Sequence, residues 1–334
     1  MKKVYVILIS AVFLGLGLLI GYLAGVNYEK ENLASALSII HPIRENDPSY
    51  EFINPLLAYI IPGADQQEDF ASLKNAIINE INAEKKHGKL IDASVFLSDL
   101  NKGRWIGVNE NEKYTPASML KVVIMVAYYK RIEREPDILD RKLTYTGDLD
   151  RLLKQDVFNS RSVLGVGTSY PVGELIKMMI IESDNGAEFL LLNNIDASYL
   201  SSIYEVLDIE NPEYTSGSFT ISPRTYSLFF RILYSVTYLR KGNSEQVLDI
   251  LSKTTFKDGI VAGLPGDIPV AHKFGEHVNA HGSQITSIEL HDCGIVYASN
   301  SPYFLCVMTR GDNLDALKGI IKNISSLVYE NYKK

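Results

Sequence analysis

The stretch TPASMLKVVIMVAYYK, residues 115–130, sets one charged side chain, Lys121, in the middle of an otherwise apolar run. A helix beginning near Ser118 puts positions three apart on one face, which makes the Ser118 hydroxyl and the Lys121 amine neighbours. Apolar surroundings disfavour the ammonium and leave a neutral amine to act as a base near pH 7. Beside a hydroxyl, such an amine makes an activated nucleophile. The unpaired N–H groups and positive dipole end of a first helical turn add a place for an oxyanion. The competing reading is an N-cap serine with a lysine that snorkels to the surface. S-x-x-K alone does not separate the two.

Working outward, the two ends of the chain differ from its middle. From about residue 69, Phe70, Leu73, Ile77, Ile78 and Ile81 fall on one helical face, and Leu317, Ile320, Ile321, Ile324, Leu327 and Val328 do the same near the end. Strand-like runs lie at residues 92–99, 105–108, 270–274, 293–298 and 303–309, with Asn101-Lys102-Gly103 as a hairpin signal. Residues 118–238 are helical in pattern, broken at Thr146-Gly147 and Gly165-Val166-Gly167. The simplest arrangement is an α/β (α+β) fold: one antiparallel sheet flanked by the N- and C-terminal helices, with an all-helical lobe inserted between its strands.

The chain has 334 residues, 46% hydrophobic and 22% charged, enough for a full core and neither disordered nor fibrous. A net charge of -7 without a dense Lys/Arg stripe argues against nucleic acid as a partner. After Met1-Lys2-Lys3, residues 4–28 carry no charge, long enough to cross a bilayer. Leu23-Ala24-Gly25 is a poor cleavage site, so an uncleaved anchor is the reading and a cleaved signal the alternative. Lys2 and Lys3 then face the cytoplasm. The expected layout is a membrane anchor over 1–28, an extracytoplasmic spacer over 29–65 and a folded domain over 66–334, at the cell membrane and single-pass. Cys293 and Cys306 are the two cysteines, expected as buried small hydrophobes rather than a bridge.

Two further stretches bear on Ser118. Ser183-Asp184-Asn185 lies in a polar break, IESDNGAE, and Lys273-Phe274-Gly275 ends an apolar strand in PVAHKFGE. Ser118-x-x-Lys121, then Ser183-Asp184-Asn185, then Lys273-x-Gly275 follow the order of the penicillin-recognising serine enzymes. The chain resembles their class A β-lactamase branch from about residue 70 to the C-terminus, including the stretches SPRTYSLFFRILY, DGIVAGLPGDIPVAHK, HDCGIVYA and LCVMTRG. The resemblance implies an active site between sheet and lobe and an acyl-enzyme acting on β-lactam or D-Ala-D-Ala-type peptide amides without a cofactor. The substrate is then a small molecule or a peptidoglycan peptide. It implies Ser118 as nucleophile, Lys121 as its base and Ser183 as proton donor to the leaving nitrogen. Asn185 would bind the substrate's side-chain amide, Lys273 its carboxylate, and the backbone N–H groups of Ser118 and Glu276 the oxyanion. Asp184 would hold its loop together.

The pattern breaks twice. The family's deacylating glutamate sits in a Glu-x-x-Leu-Asn motif on a long loop; here residues 211–220 are a short loop without it, and Glu213 is its one acid. Slow deacylation is therefore expected, with a true β-lactamase using Glu213 as an alternative. At Phe274 the family carries a hydroxyl residue, and a phenyl ring donates no hydrogen bond to a carboxylate. Its ring turns inward, or the substrate differs. A non-catalytic envelope protein that keeps the fold for binding is the remaining alternative. Glu276, His277 and His281 have a spacing that attracts metals, but a solvated loop after the strand is the expected reading and no metal is assigned. His291, beside Asp292, is expected to be structural.

Overall fold

The computed structural model describes Gly17, Gly21, Tyr22, Gly25 and residues 43–44, 48–58, 71–101, 103–147, 164–212, 219–281, 284–298 and 301–332. Most of the 4–28 stretch lies outside these, as do Glu213 and most of the loop around it. Among the described residues no helix is long and apolar enough to cross a membrane.

Short strands β1 (Ile43–Arg44) and β2 (Leu56–Ala58) pair with each other ahead of α1 (Ala71–Lys86). Then come β3 (Leu90–Asp99), β4 (Trp105–Val108), a 3-10 turn (Ala117–Leu120) and α2 (Lys121–Ile132). A small ribbon of β5 (Lys142–Thr144) and β6 (Ser169–Pro171) leads into α3 (Val172–Ile181), α4 (Asn185–Leu192), α5 (Ala197–Val206), α6 (Pro223–Tyr234) and α7 (Lys241–Ser252). Strands β7 (Val270–His281), β8 (Gln284–Val296) and β9 (Tyr303–Gly311) precede the final α8 (Leu314–Tyr332). The main sheet is antiparallel, in the order β4-β3-β9-β8-β7, so β7 is an edge strand. The predicted mixed fold, with strands from both chain ends and the lobe inserted, is the one observed.

Both faces of the sheet are covered, and strand alternation divides the core accordingly. Along β9, Tyr303, Leu305 and Val307 join the cluster under α1 and α8, while Phe304, Cys306 and Met308 join the cluster shared with the lobe. Leu73, Ile77 and Ile81 of α1 are buried, as are Leu317, Ile320, Ile321, Ile324 and Val328 of α8, as the helical spacing predicts.

Two expectations change. The register of β8 against β9 puts Cys293 opposite Cys306, and the two form a disulfide across the strands with Cα atoms 4.0 Å apart. A one-residue slip would have turned one of them away, and pairing register is what the isolated sequence lacked. The polar stretch from Glu276 to His281 is not a loop but the outer half of β7, paired to β8 from Gln284 onward. Ladder bonds satisfy its backbone although the His277, Val278 and Asn279 side chains are partly exposed. The apolar stretch Phe52–Leu57, where the spacer is expected to become ordered, packs on the lobe: Phe52 and Ile53 are buried, Asn54 and Leu56 donate backbone bonds to Tyr234 and Ser235, and Tyr297 donates its hydroxyl to the Phe52 carbonyl.

Candidate active site

Ser118 lies in the 3-10 turn ahead of α2 rather than in the α-helix itself. The turn begins with Pro116 and with Ala117 in the left-handed region (φ 48°), an unusual conformation for a residue with a side chain. The turn is held from several sides. Tyr114 exchanges both backbone bonds with Ile221, Thr115 N–H donates to Glu289 Oε2 (2.9 Å), and His291 Nε2 lies 3.1 Å from the Thr115 carbonyl. Tyr226 donates its hydroxyl to the Met119 carbonyl. Backbone held off its preferred conformation persists only where neighbours over-determine it, and here they do.

Lys121, the first residue of α2, is wholly buried, and its Nζ is ringed by oxygens. Ser118 Oγ lies at 3.0 Å, the Ser183 carbonyl at 2.8 Å, Ser183 Oγ at 3.2 Å, Asn185 Oδ1 at 2.5 Å and Glu188 Oε2 at 3.4 Å. Burial pushes this amine down from the usual lysine range, against the pull of Glu188 and Asp184. A neutral amine donates two hydrogens and accepts one. In that form, with the Asn185 oxygen and the Ser183 carbonyl as acceptors, the lone pair would be left for the Ser118 hydroxyl proton.

Ser183, also left-handed at φ 58°, sits in the break between α3 and α4. Asp184 caps α4 by accepting from Ala187 N–H (2.8 Å), which fixes Asn185 as the first helical residue and aims its side chain at Lys121. Lys273 on β7 is also wholly buried; its Nζ lies 3.0 Å from Ser183 Oγ and donates to the Phe274 carbonyl at 3.1 Å. Burial, and then the nearby Lys121, push its amine well below the usual range. The Ser183 hydroxyl thus stands between two amines.

Lys273 and Gly275 lie on the lobe side of β7, so alternation sends Phe274 toward the other core cluster. Its ring is 7% exposed, stacks on Phe256 with centroids 4.3 Å apart, and lies 4.1 Å from Lys273 Nζ. Of the two readings for Phe274 the inward ring is the one observed, which leaves no room for the substrate contact also considered at this position: the buried ring lies against the Lys273 amine. Gly275 has its own reason. A Cβ there would collide with the Pro116 carbonyl and the Met119 side chain, so only glycine lets the edge strand come this close to the nucleophile turn. Glu276 follows at the same edge, with its side chain buried.

The structure thus brings together Ser118, Lys121, Ser183, Asn185 and Lys273, with Gly275 and Glu276 alongside. Glu213 lies outside the described residues. Among those described, no group of three or more His, Cys, Asp or Glu side chains is placed to hold a metal ion. His291 is buried and bonded to backbone on both ring nitrogens. Glu188 went unnoticed in the sequence. Its signal was present, since it follows Asn185 by three positions on a helix and so shares its face.

A family model described as the beta-lactamase enzyme family matches residues 72–332. Among curated proteins, a beta-lactamase of Streptomyces fradiae is 26% identical over 208 residues, 58% of this chain and 66% of that protein. One of Streptomyces albus G is 24% identical over 262 residues, 71% of this chain and 78% of that protein. Among solved structures, PBP-A superposes with a TM-score of 0.66 at 22% identity, covering 79% of this chain and 96% of its own, a likeness of fold. A mutant of PBP-A has been solved as an acyl-enzyme complex with penicillin-G. The match over residues 72–332, which span the serine, the two buried lysines and the second serine of this site, places the chain in the beta-lactamase enzyme family.

Proposed function

We propose that this chain is a serine acyl-enzyme that opens β-lactam or D-Ala-D-Ala-type peptide amides and releases the acyl group slowly. The observation that carries the reading is the position of Lys121 Nζ, 3.0 Å from Ser118 Oγ and 3.2 Å from Ser183 Oγ. Lys121 takes the Ser118 proton as Oγ attacks the amide carbon, and the charge on the amide oxygen is met by the N–H groups of Ser118 and Glu276. The proton then passes through Ser183 to the leaving nitrogen. Lys273, next to Ser183, favours a substrate carboxylate. With its oxygen turned to Lys121, Asn185 offers its amide N–H groups to a substrate carbonyl. PBP-A, similar in fold, supports acylation chemistry in this architecture. Slow release follows from the absence of the Glu-x-x-Leu-Asn motif in the sequence.

The uncharged stretch 4–28 supports a membrane-anchored chain with its catalytic domain outside the cytoplasm. The Cys293–Cys306 disulfide is in keeping with that compartment. Labelling with a fluorescent penicillin, followed by intact-mass measurement, tests the reaction. A stable adduct on wild type that is lost in Ser118→Ala is expected. No adduct on wild type, or an undiminished one in Ser118→Ala, overturns the assignment, and rapid steady-state turnover of nitrocefin overturns slow release.

A further inference from the structure

Glu188 Oε2 lies 3.4 Å from Lys121 Nζ, the one carboxylate at ion-pair distance from that amine among the described residues. It shares a face of α4 with Asn185, so the element that brings Ser183 and Asn185 to the site brings this carboxylate too. The lysine is wholly buried while the Glu188 side chain is 27% exposed, which sets the carboxylate at the rim of the site. We propose that Glu188 is a positioning residue of the acylation step, compensating the charge that Lys121 acquires when it takes the Ser118 proton. This deepens the acyl-enzyme reading and rests on it.

In that step the Ser118 O–H bond breaks, its proton goes to the lone pair of Lys121 Nζ, and Oγ bonds to the amide carbon as an electron pair moves onto the amide oxygen. Lys121 passes from neutral amine to ammonium in a place where an unpaired ammonium is costly. Glu188 stays a carboxylate throughout. Its attraction is therefore stronger after proton transfer than before, which is the form of interaction that accelerates a step. When the proton moves on through Ser183 and the C–N bond breaks, Lys121 is neutral again.

The charged groups facing Lys121 are Glu188 and the capping Asp184 from α4 and its N-terminus, and Lys273 from β7. Both carboxylates favour the ammonium, while burial and Lys273 oppose it. Removing the Glu188 charge therefore leaves an amine that is neutral at lower pH but weaker as a base.

The test is the acylation rate of the full-length chain by a fluorescent penicillin as a function of pH, for wild type, Glu188→Gln and Glu188→Asp. In Glu188→Gln the acid limb of the profile should move to lower pH while the plateau falls roughly tenfold, about 1.4 kcal/mol. Glu188→Asp keeps the charge and should leave the limb near its wild-type place. A lowered plateau with an unmoved limb in Glu188→Gln means a merely structural role and overturns the proposal. So does a limb displaced equally by Glu188→Asp, or normal acylation in Glu188→Gln with an adduct that outlives the wild-type one, which would make Glu188 an activator of water for release. Failure of the wild type to form any adduct would instead overturn the acyl-enzyme reading itself.

Discussion

On one side of Thr115, Glu289 accepts from Arg310 (2.8 Å) and from the Thr115 N–H, with His291 Nε2 3.6 Å away. On the other side, Lys121 and Lys273 are wholly buried, and the nearest carboxylate to them, Glu188, is partly exposed. Burial acts against charge in both places. At Glu289 it is outweighed by the adjacent His291 and by the bonds from Arg310 and Thr115, and the carboxyl is brought down to about 2. At the lysines it wins, and both amines are held below the ordinary lysine range. A saturated charge is locked and holds backbone in place. An under-compensated one gives up or takes a proton readily, which is what a base in acyl transfer must do.

The largest way to break this contrast is to remove the under-compensated charge. Lys121→Met should lower the acylation rate by roughly 10²–10⁴-fold, the usual contribution of a positioned base. Its thermal midpoint should hold, because an apolar chain replaces an amine that is costly to keep charged there. Stopped-flow labelling beside a calorimetric melt reads both. A melt lowered as far as the activity would mean that Lys121 is structural.

A smaller effect is expected from the locked cluster, and in the other quantity. Glu289→Gln should cost about 3 kcal/mol of stability near neutral pH, since it strips the charge from a buried, multiply bonded carboxylate. The carboxyl sits at about 2 in the fold against an ordinary value of 4.5. Its contribution is thus fully present above pH 4.5 and is lost as the pH falls toward 2. Denaturant titrations at a series of pH values should show a steep loss across that interval in wild type and a flatter one in Glu289→Gln. Equal slopes would show that Glu289 is not the locked charge inferred here.

The smallest effect concerns the sheet behind both clusters. Replacing Cys293 and Cys306 together by alanine opens a bridge with a sequence separation of 13. The expected cost is about 2 kcal/mol of stability, with acylation unchanged, because Lys273, the cross-strand partner of Cys293, has its amine held by Ser183 Oγ and the Phe274 carbonyl. Loss of labelling in a double variant that still folds would tie the site to the bridge more closely than the geometry does.

Much of the site was legible because its motifs are local. Ser118 and Lys121 meet through helical spacing, and Asp184 caps the helix that Asn185 begins. Strand alternation along Lys273-Phe274-Gly275 contained the answer for Phe274, but it needed to be known that Lys273 and Gly275 share the side facing the nucleophile turn. Glu188 was equally well placed on the helical face and passed unnoticed, because a partly exposed acid has no distinctive mark until it lies 3.4 Å from a buried amine. The outer half of β7 resembled a loop since its polar side chains hide a ladder that only the partner strand reveals.

By itself, the sequence determined the elements, their order and the chemistry within each turn, since helical and strand periodicities and i, i+3 neighbours are properties of the local chain. Tertiary structure alone decided the rest: the pairing of Cys293 with Cys306, the clamp of Glu289 and His291 on Thr115, and the convergence of two lysines from distant elements on one serine hydroxyl. These depend on register, and on the burial that decides whether a charge is kept or surrendered, and both exist only once the sheet and the lobe have closed around the site.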